Sequence, residues 1–173
     1  MNIEGLTVHV LTTELIQALT GGRIIKVLQP TRYLFLLKIR QPDQEYSLLL
    51  STDPADPRVH LTRETRENPP EPSSLCMLLR KHLIDGRIAA VLQQAEMDRV
   101  LHIPVDIRSG QGKIDTKILT VGRAGKNCNL ILCQDGIILD CARRVGFNSS
   151  RSRQIVPGIP YTPPPIRSRQ NPL

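Results

Sequence analysis

The sequence has few aromatic residues and lacks the long apolar runs of membrane proteins. Aromatic residues make up 3% of the 173 residues and Trp is absent, so a core must be built from aliphatic side chains. No apolar run approaches the roughly 18 residues that a membrane-spanning helix needs. The N-terminus has no basic segment followed by a continuous apolar one, so we expect no secretory signal. The length predicts one domain with a proper core.

The spacings that mark common metal and enzyme sites are also missing. The four cysteines form no C-x-x-C pair, which argues against zinc and favours buried free thiols in a reducing cytosol. The basic, Gly-rich segment 122–127 lacks the G-K-[ST] ending of a P-loop. Neither H-E-x-x-H nor a Ser/His/Asp grouping is present. We therefore predict no metal, no cofactor, no small-molecule substrate and no catalysis. The cysteines are Cys76, Cys128, Cys133 and Cys141.

Acidic residues are absent from the C-terminal part of the chain. Asp140 is the last of them, and six arginines follow it, so this part carries +6 of the net +7. Such a segment suits a polyanion such as nucleic acid, bound through its phosphates. A solvated, flexible tail explains the composition equally well. The arginines are Arg143, Arg144, Arg151, Arg153, Arg167 and Arg169.

A short sequence occurs twice and organises the chain. Residues 22–29 (GRIIKVLQ) and 86–93 (GRIAAVLQ) match at six of eight positions, and each follows a helix-like apolar stripe and precedes another strand-like run. We predict an α+β domain of two similar halves, with Gly22 and Gly86 as left-handed helix caps. The apolar run 48–50 predicts a strand covered on both faces. The predicted helices span 6–20 and 73–84, and the strands 23–29, 33–40, 45–52, 58–62, 87–94, 98–107, 114–121, 128–134 and 137–139.

The two copies can be compared position by position. With the constant offset of 64 that aligns the glycines, the apolar pair Leu34 and Phe35 corresponds to Asp98 and Arg99. Adjacent strand residues point to opposite faces, so a mutual ion pair does not explain the two charges. Asp98 could cap the preceding turn while Arg99 lies on a solvated face, or both could contact a partner.

Several motifs, taken in order, resemble the N-terminal domain of the NFACT family, also known as fibronectin-binding protein A-like. The resemblance covers nearly the whole chain, and its most specific part is the segment 76–83 (CMLLRKHL) followed by Gly86-Arg87-Ile88. Other matching segments are 21–24, 49–51, 58–62, 68–69, 98–99, 122–123, 129–132, 148–151 and 157–161.

The resemblance implies a cytoplasmic factor of ribosome-associated quality control. Such factors bind the large ribosomal subunit that carries an obstructed nascent chain, and recruit tRNA for untemplated C-terminal tailing. The family's tRNA-contacting Asp-Arg motif falls on Asp98 and Arg99. The implied fold is a β-sandwich-like body with flanking helices, similar to the N-terminal domain of formamidopyrimidine-DNA glycosylases. We expect the domain to span residues 1–160, with a linker at 161–173. Further candidate RNA contacts are Arg80, Lys81, Gly122, Arg123 and Arg151.

The sequence departs from the family at two places. The family's usual Gly-Arg-His-Ser-Asn is replaced by the longer segment 122–129 (GRAGKNCN). The Asp-Gly common near the N-terminus of the family is replaced by Glu4-Gly5. A fibronectin-binding surface adhesin is the alternative function, against which the absent signal and the unpaired cysteines argue. A DNA-processing enzyme is the third, but Met1-Asn2-Ile3 offers no N-terminal proline nucleophile.

Overall fold

The described part of the chain is mostly β, with two short helices. The computed structural model describes residues 13–63, 71–94, 97–122, 128–146 and 154–162, with the backbone alone for residues 94 and 97–99. The helices are α1 (residues 13–19) and α2 (Ser74–Leu83). The strands are β1 (Arg23–Thr31), β2 (Leu34–Arg40), β3 (Glu45–Ser51), β4 (Arg58–Thr62), β5 (Arg87–Ile88), β6 (Leu92–Gln94), β7 (Met97–Arg108), β8 (Ile114–Gly122), β9 (Asn129–Gln134) and β10 (Ile137–Cys141).

All ten strands belong to one antiparallel sheet. Its order is β10-β9-β8-β7-β5-β1-β2-β3-β4, and β6 pairs with β7 beside that path. The predicted strands are confirmed within a few residues, except that 87–94 is divided into β5 and β6. The α+β class is replaced by a mostly β one. The sandwich-like body and the likeness to DNA glycosylases stay predictions.

The repeated segments meet at the centre of the sheet through reciprocal hydrogen bonds. Ile24 N–H donates to the Gly86 carbonyl at 2.9 Å, and Ile88 N–H donates to the Gly22 carbonyl at 2.8 Å. Gly21 N–H donates to Ile88 and Asp85 N–H to Ile24, both at 2.7 Å. Each donor and acceptor is matched by the residue 64 positions away. The predicted equivalence of the two segments is therefore confirmed at their junction.

The left-handed caps lie one residue earlier than predicted. Gly21 and Asp85 have φ of 84° and 71°, whereas Gly22 and Gly86 do not have positive φ. At positions 22 and 86 there is no room for a side chain. A Cβ on Gly22 would lie 2.5 Å from Ile39 Cγ2, and one on Gly86 would lie 2.5 Å from Val105 Cγ1. Their assignment as left-handed caps was wrong.

The second copy is interrupted where the first is continuous. The predicted strand 87–94 is split into β5 and β6, and Ala89 N–H donates to the Pro104 carbonyl at 2.9 Å. In an antiparallel strand the N–H and C=O of one residue point to the same side. Proline has no N–H, so Pro104 cannot complete the ladder on that side.

One aliphatic core draws on both halves and both helices. Leu15, Leu19 and Leu79 of the helices pack with residues of strands from each half, and these side chains are essentially fully buried. The prediction that the run 48–50 is covered on both faces is confirmed, because Leu48, Leu49 and Leu50 are all buried. The strand members of the core include Ile24, Val27, Phe35, Leu37, Ile39, Leu48, Leu50, Leu101, Ile103, Val105, Leu119, Val121, Leu130 and Leu132.

The C-terminal segment 154–162 belongs to the fold. Ile155 is 1% exposed and packs with Ile131, Cys133 and Ile138 in a second apolar cluster. Residues 158–161 also exchange backbone hydrogen bonds with β10 and the turn before it. A solvated, flexible tail after Asp140 is therefore excluded for residues 154–162, and deleting this segment would expose apolar surface.

Two substitutions at the junction should change the stability of the protein in opposite directions. Gly86→Ala should destabilise the protein by about 1–3 kcal/mol, because the new methyl group would overpack against Val105. Asp85→Gly should stabilise it by up to about 1 kcal/mol, because glycine adopts positive φ without strain. Urea unfolding would measure both changes.

Gly110→Ala is the matched control, because a Cβ there meets nothing within 4 Å and φ is not positive. A Gly86→Ala protein as stable as this control would contradict the close-packing explanation.

Candidate nucleic-acid interface

Asp98 and Arg99 lie in a bulge of β7. Gln94 pairs with Met97 and Gln93 pairs with Leu101, so residues 98–100 have no partners on β6. Extra residues of this kind bend a strand and re-aim its side chains, and they are frequent beside functional sites. The side chains of Asp98 and Arg99 themselves lie outside the described residues.

The strand register corrects the comparison of the two copies. Ile24 pairs with Ile39 in the first half and Ile88 pairs with Val105 in the second, so the return strand is offset by 66 and not by 64. The same offset holds for Leu36 and His102, which pair with Leu28 and Leu92. Asp98 and Arg99 belong to the extra residues of the bulge, which have no counterpart in the first half. The proposed exchange of two apolar residues for two charges was wrong, and the role of the Asp-Arg pair rests on the family resemblance.

Gly122 lies beside this bulge. It is the last residue of β8 and pairs with Val100 on one side and with Asn129 of β9 on the other. The first glycine of the Gly-rich segment thus lies one residue from Arg99 in the strand register. Arg123 and Arg151, the other two predicted contacts in this group, lie outside the described residues.

Arg80 anchors α2 to the sheet. Its Nε donates to the Val27 carbonyl at 2.9 Å, and its side chain is half-buried. Arg80 can use its remaining N–H groups elsewhere, but removing it would leave a carbonyl of β1 without this donor. A loss of RNA binding in an Arg80 variant would not by itself identify a contact.

Lys81 belongs to a cluster of basic groups where α2 ends. Lys117 Nζ of β8 contacts His82 Nδ1, and because an ammonium has no acceptor, Nδ1 must accept and the imidazole is neutral. Burial, then Lys117 and Lys81, lower the pKa of His82. Burial and Lys81 lower the pKa of Lys117, while Asp115 raises it. This cationic cluster, Lys81-His82-Lys117, is electrostatically suited to an anion.

The cationic cluster and the Asp-Arg bulge are separate sites. Lys117 pairs with Val105, and Gly122 pairs with Val100, five residues away along β7. At the usual strand rise this is roughly 17 Å. An extended ligand such as a folded RNA could contact both places, but a single nucleotide could not.

The described residues hold no candidate metal site. No group of three or more His, Cys, Asp or Glu in them could hold a metal ion. Burial raises the pKa of the Cys133 and Cys141 thiols to about 11, so these thiols stay protonated. No helix in the described ranges is long and apolar enough to cross a membrane.

Sequence reasoning missed two features. The partner of His82 is 35 residues away on another element, so no local spacing predicts the contact with Lys117. An exposed Arg32–Tyr33 pair at the turn between β1 and β2 was also overlooked.

Comparisons with known proteins give a consistent result. The family model described as NFACT N-terminal and middle domains matches residues 4–173. The chain is 34% identical, over 175 residues, to the Bacillus subtilis Rqc2 homolog RqcH, covering all of this chain and 30% of that protein. It is 35% identical over 101 residues to ribosome quality control complex subunit 2 of Saccharomyces cerevisiae, covering 57% of the chain and 9% of that protein. The structure of the N-terminal domain of the fibronectin-binding protein PavA from Streptococcus pneumoniae has a TM-score of 0.87 and 36% identity, covering 93% of this chain and 61% of that one.

The cationic cluster predicts how His82 titrates. Its pKa in the folded protein lies below the unfolded value of about 6.5, so the folded state binds fewer protons. The titration of His82 therefore lowers the free energy of unfolding as the pH falls below about 6.5. Above that pH it has no such effect. Lys117→Met should move the His82 midpoint upward, because a neighbouring positive charge is removed. NMR titration of the His82 ring protons would measure the shift.

Lys113→Met is the control, because it removes an exposed lysine from the turn before β8. An unchanged His82 midpoint in the Lys117 variant would contradict the described contact.

Proposed function

Because the chain belongs to the NFACT family, we propose that it is the tRNA-contacting domain of a ribosome-associated quality control factor. Its match to the Rqc2 homologs along its full length is the observation that carries this proposal. The chain spans about a third of the length of those relatives. Binding of obstructed large subunits and untemplated tailing are therefore activities that we propose for a longer protein.

Asp98 and Arg99 are the proposed tRNA contacts. Arginine presents a planar fork of donors suited to phosphates and base edges, and aspartate accepts from base amines. Together the two side chains could select an RNA loop as well as bind its backbone. Their position in a bulge of β7 supports this role, because the backbone there is not committed to β6.

The cationic cluster is a second proposed contact, for phosphate. Lys81 is exposed, and the neutral His82 and the Lys117 ammonium lie beside it. Burial lowers both pKa values most, and a phosphate placed there would relieve the repulsion between basic groups that lowers them further. We propose that the domain binds RNA without catalysing a reaction, in the cytoplasm where ribosomes work, and uses no cofactor.

Replacing Asp98 and Arg99 together tests the proposal. In the full-length protein, Asp98→Ala with Arg99→Ala should lower tRNA recovery roughly 5- to 150-fold, the effect of losing about 1–3 kcal/mol of base contacts. Association with the large subunit should persist. Sequencing and quantifying the RNA that co-purifies would measure both.

Arg40→Ala with Glu45→Ala is the matched control, since it removes an exposed ion pair of 3.0 Å and also leaves the net charge unchanged. Equal tRNA recovery from the two double variants, with equal thermal melting, would refute the proposed contact.

Fibronectin binding is the second candidate function, because the structurally similar PavA domain is described as part of a fibronectin-binding protein. Surface-immobilised fibronectin and labelled tRNA should be offered to the same folded chain. Saturable binding of fibronectin but not of tRNA would favour the adhesin.

A further inference from the structure

The turn between β1 and β2 presents an arginine stacked on a tyrosine. Arg32 Cζ lies 5.3 Å from the centroid of the Tyr33 ring, within the range of a cation–π contact. Tyr33 is 39% exposed, although its ring is large and apolar. Of the other described aromatic residues, Phe35 is buried and Tyr46 and Tyr161 are half-buried. Tyr33 is therefore the most exposed of the few described aromatic rings.

The backbone of this turn is held from both sides. The Arg32 carbonyl accepts from Gln29 Nε2 at 3.3 Å. The Tyr33 carbonyl accepts from Thr52 N–H at 2.8 Å and from Thr52 Oγ1 at 3.2 Å. Gln29 is itself buried and accepts from Ser73 at the start of α2. The pair is thus displayed on a fixed support, which reduces the conformational entropy lost on binding.

A cavity beside the turn adds complementary polar groups. It has a volume of about 340 Å³, and Arg32, Arg144 and Asp140 are among its lining residues. Asp140 is 7% exposed, and its Oδ1 accepts from Cys141 N–H at 2.8 Å and lies 3.7 Å from Arg144. The two guanidinium groups outnumber the single carboxylate. The cavity can therefore take a phosphate while offering an acceptor to a hydroxyl.

We propose that the Arg32–Tyr33 turn and its cavity bind one unpaired nucleotide of an RNA. The base stacks on the exposed ring, the phosphate lies near Arg144, and Asp140 accepts from a ribose hydroxyl. Single-stranded nucleic acids are held in this manner by aromatic side chains and arginines. The inference rests on the proposed RNA-binding function and adds to it a site distinct from Asp98 and Arg99.

The absence of Trp makes the stacking directly measurable. The protein fluorescence comes from three tyrosines, so a base stacked on Tyr33 should quench part of it. An eight-nucleotide RNA of mixed sequence should quench the wild-type chain and Arg40→Ala, which removes an exposed arginine at the far end of β2. Tyr33→Phe should bind with near wild-type affinity but lose the quenching, because phenylalanine keeps the stacking face.

Affinities measured with labelled RNA complete the test. Tyr33→Ala should weaken binding roughly 5- to 150-fold, the cost of losing one stacked base at about 1–3 kcal/mol. A DNA octamer of the same sequence should bind more weakly than the RNA octamer, because it lacks the ribose 2′-hydroxyl. Asp140→Asn should narrow this difference in affinity. Equal quenching of wild type and Tyr33→Phe, or Tyr33→Ala binding like Arg40→Ala, would overturn the inference.

A different result would refute the proposed RNA-binding function itself. A wild-type chain that binds neither tRNA nor the octamer would refute RNA binding altogether. If tRNA binding depends on Asp98 and Arg99 but not on Tyr33, the proposed function stands and the additional nucleotide site is wrong.

Discussion

The close approach of two glycine-led segments is the constraint on which this fold depends. Four backbone hydrogen bonds join residues 21–24 to residues 85–88, and they contribute about 2–6 kcal/mol in total. They form only if side chains of the neighbouring strands can lie where a Cβ would otherwise be. Ile39 and Val105 occupy those spaces. A single sheet can then run through both halves, with one aliphatic core on which α1 and α2 pack.

Two of the three polar sites lie where regular strand pairing stops, and the third lies at the end of a helix. The Asp-Arg pair follows a turn in an unpaired bulge, the Arg32–Tyr33 pair occupies a turn, and the cationic cluster lies where α2 ends. A sheet with an aliphatic interior leaves little room for charged groups elsewhere. Burial near the end of α2 lowers the pKa of His82. Lys81 and Lys117 are therefore the two groups of the cluster that carry positive charge.

The sequence predicted the strands well because each is an apolar run bounded by turn residues. It also predicted the equivalence of the two repeats, which share six residues, but not that they bond to each other. It misplaced the left-handed caps, because Gly22 and Gly86 are required by contacts with Ile39 and Val105 that no local pattern reveals.

Two further properties could not be predicted from local sequence patterns. A bulge changed the offset between the halves from 64 to 66, so the comparison of Leu34 with Asp98 failed. The packing of Ile155 on β9 and β10 was hidden by the polar composition around it. The Asp-Arg site could be predicted only through the family, and its side-chain chemistry stays a prediction.

The reciprocal bonding at the junction has the geometry of a symmetric homodimer contact. In such a contact each surface is its own complement, so two identical chains can form it without a linker. A protein of this kind can arise when an ancestral half is duplicated and fused. Once fused, the halves must both preserve the contact around Gly22 and Gly86, but each is free to change its own hairpin. An Arg-Tyr turn in one hairpin and a bulge with Asp-Arg in the other are the outcome expected of such divergence.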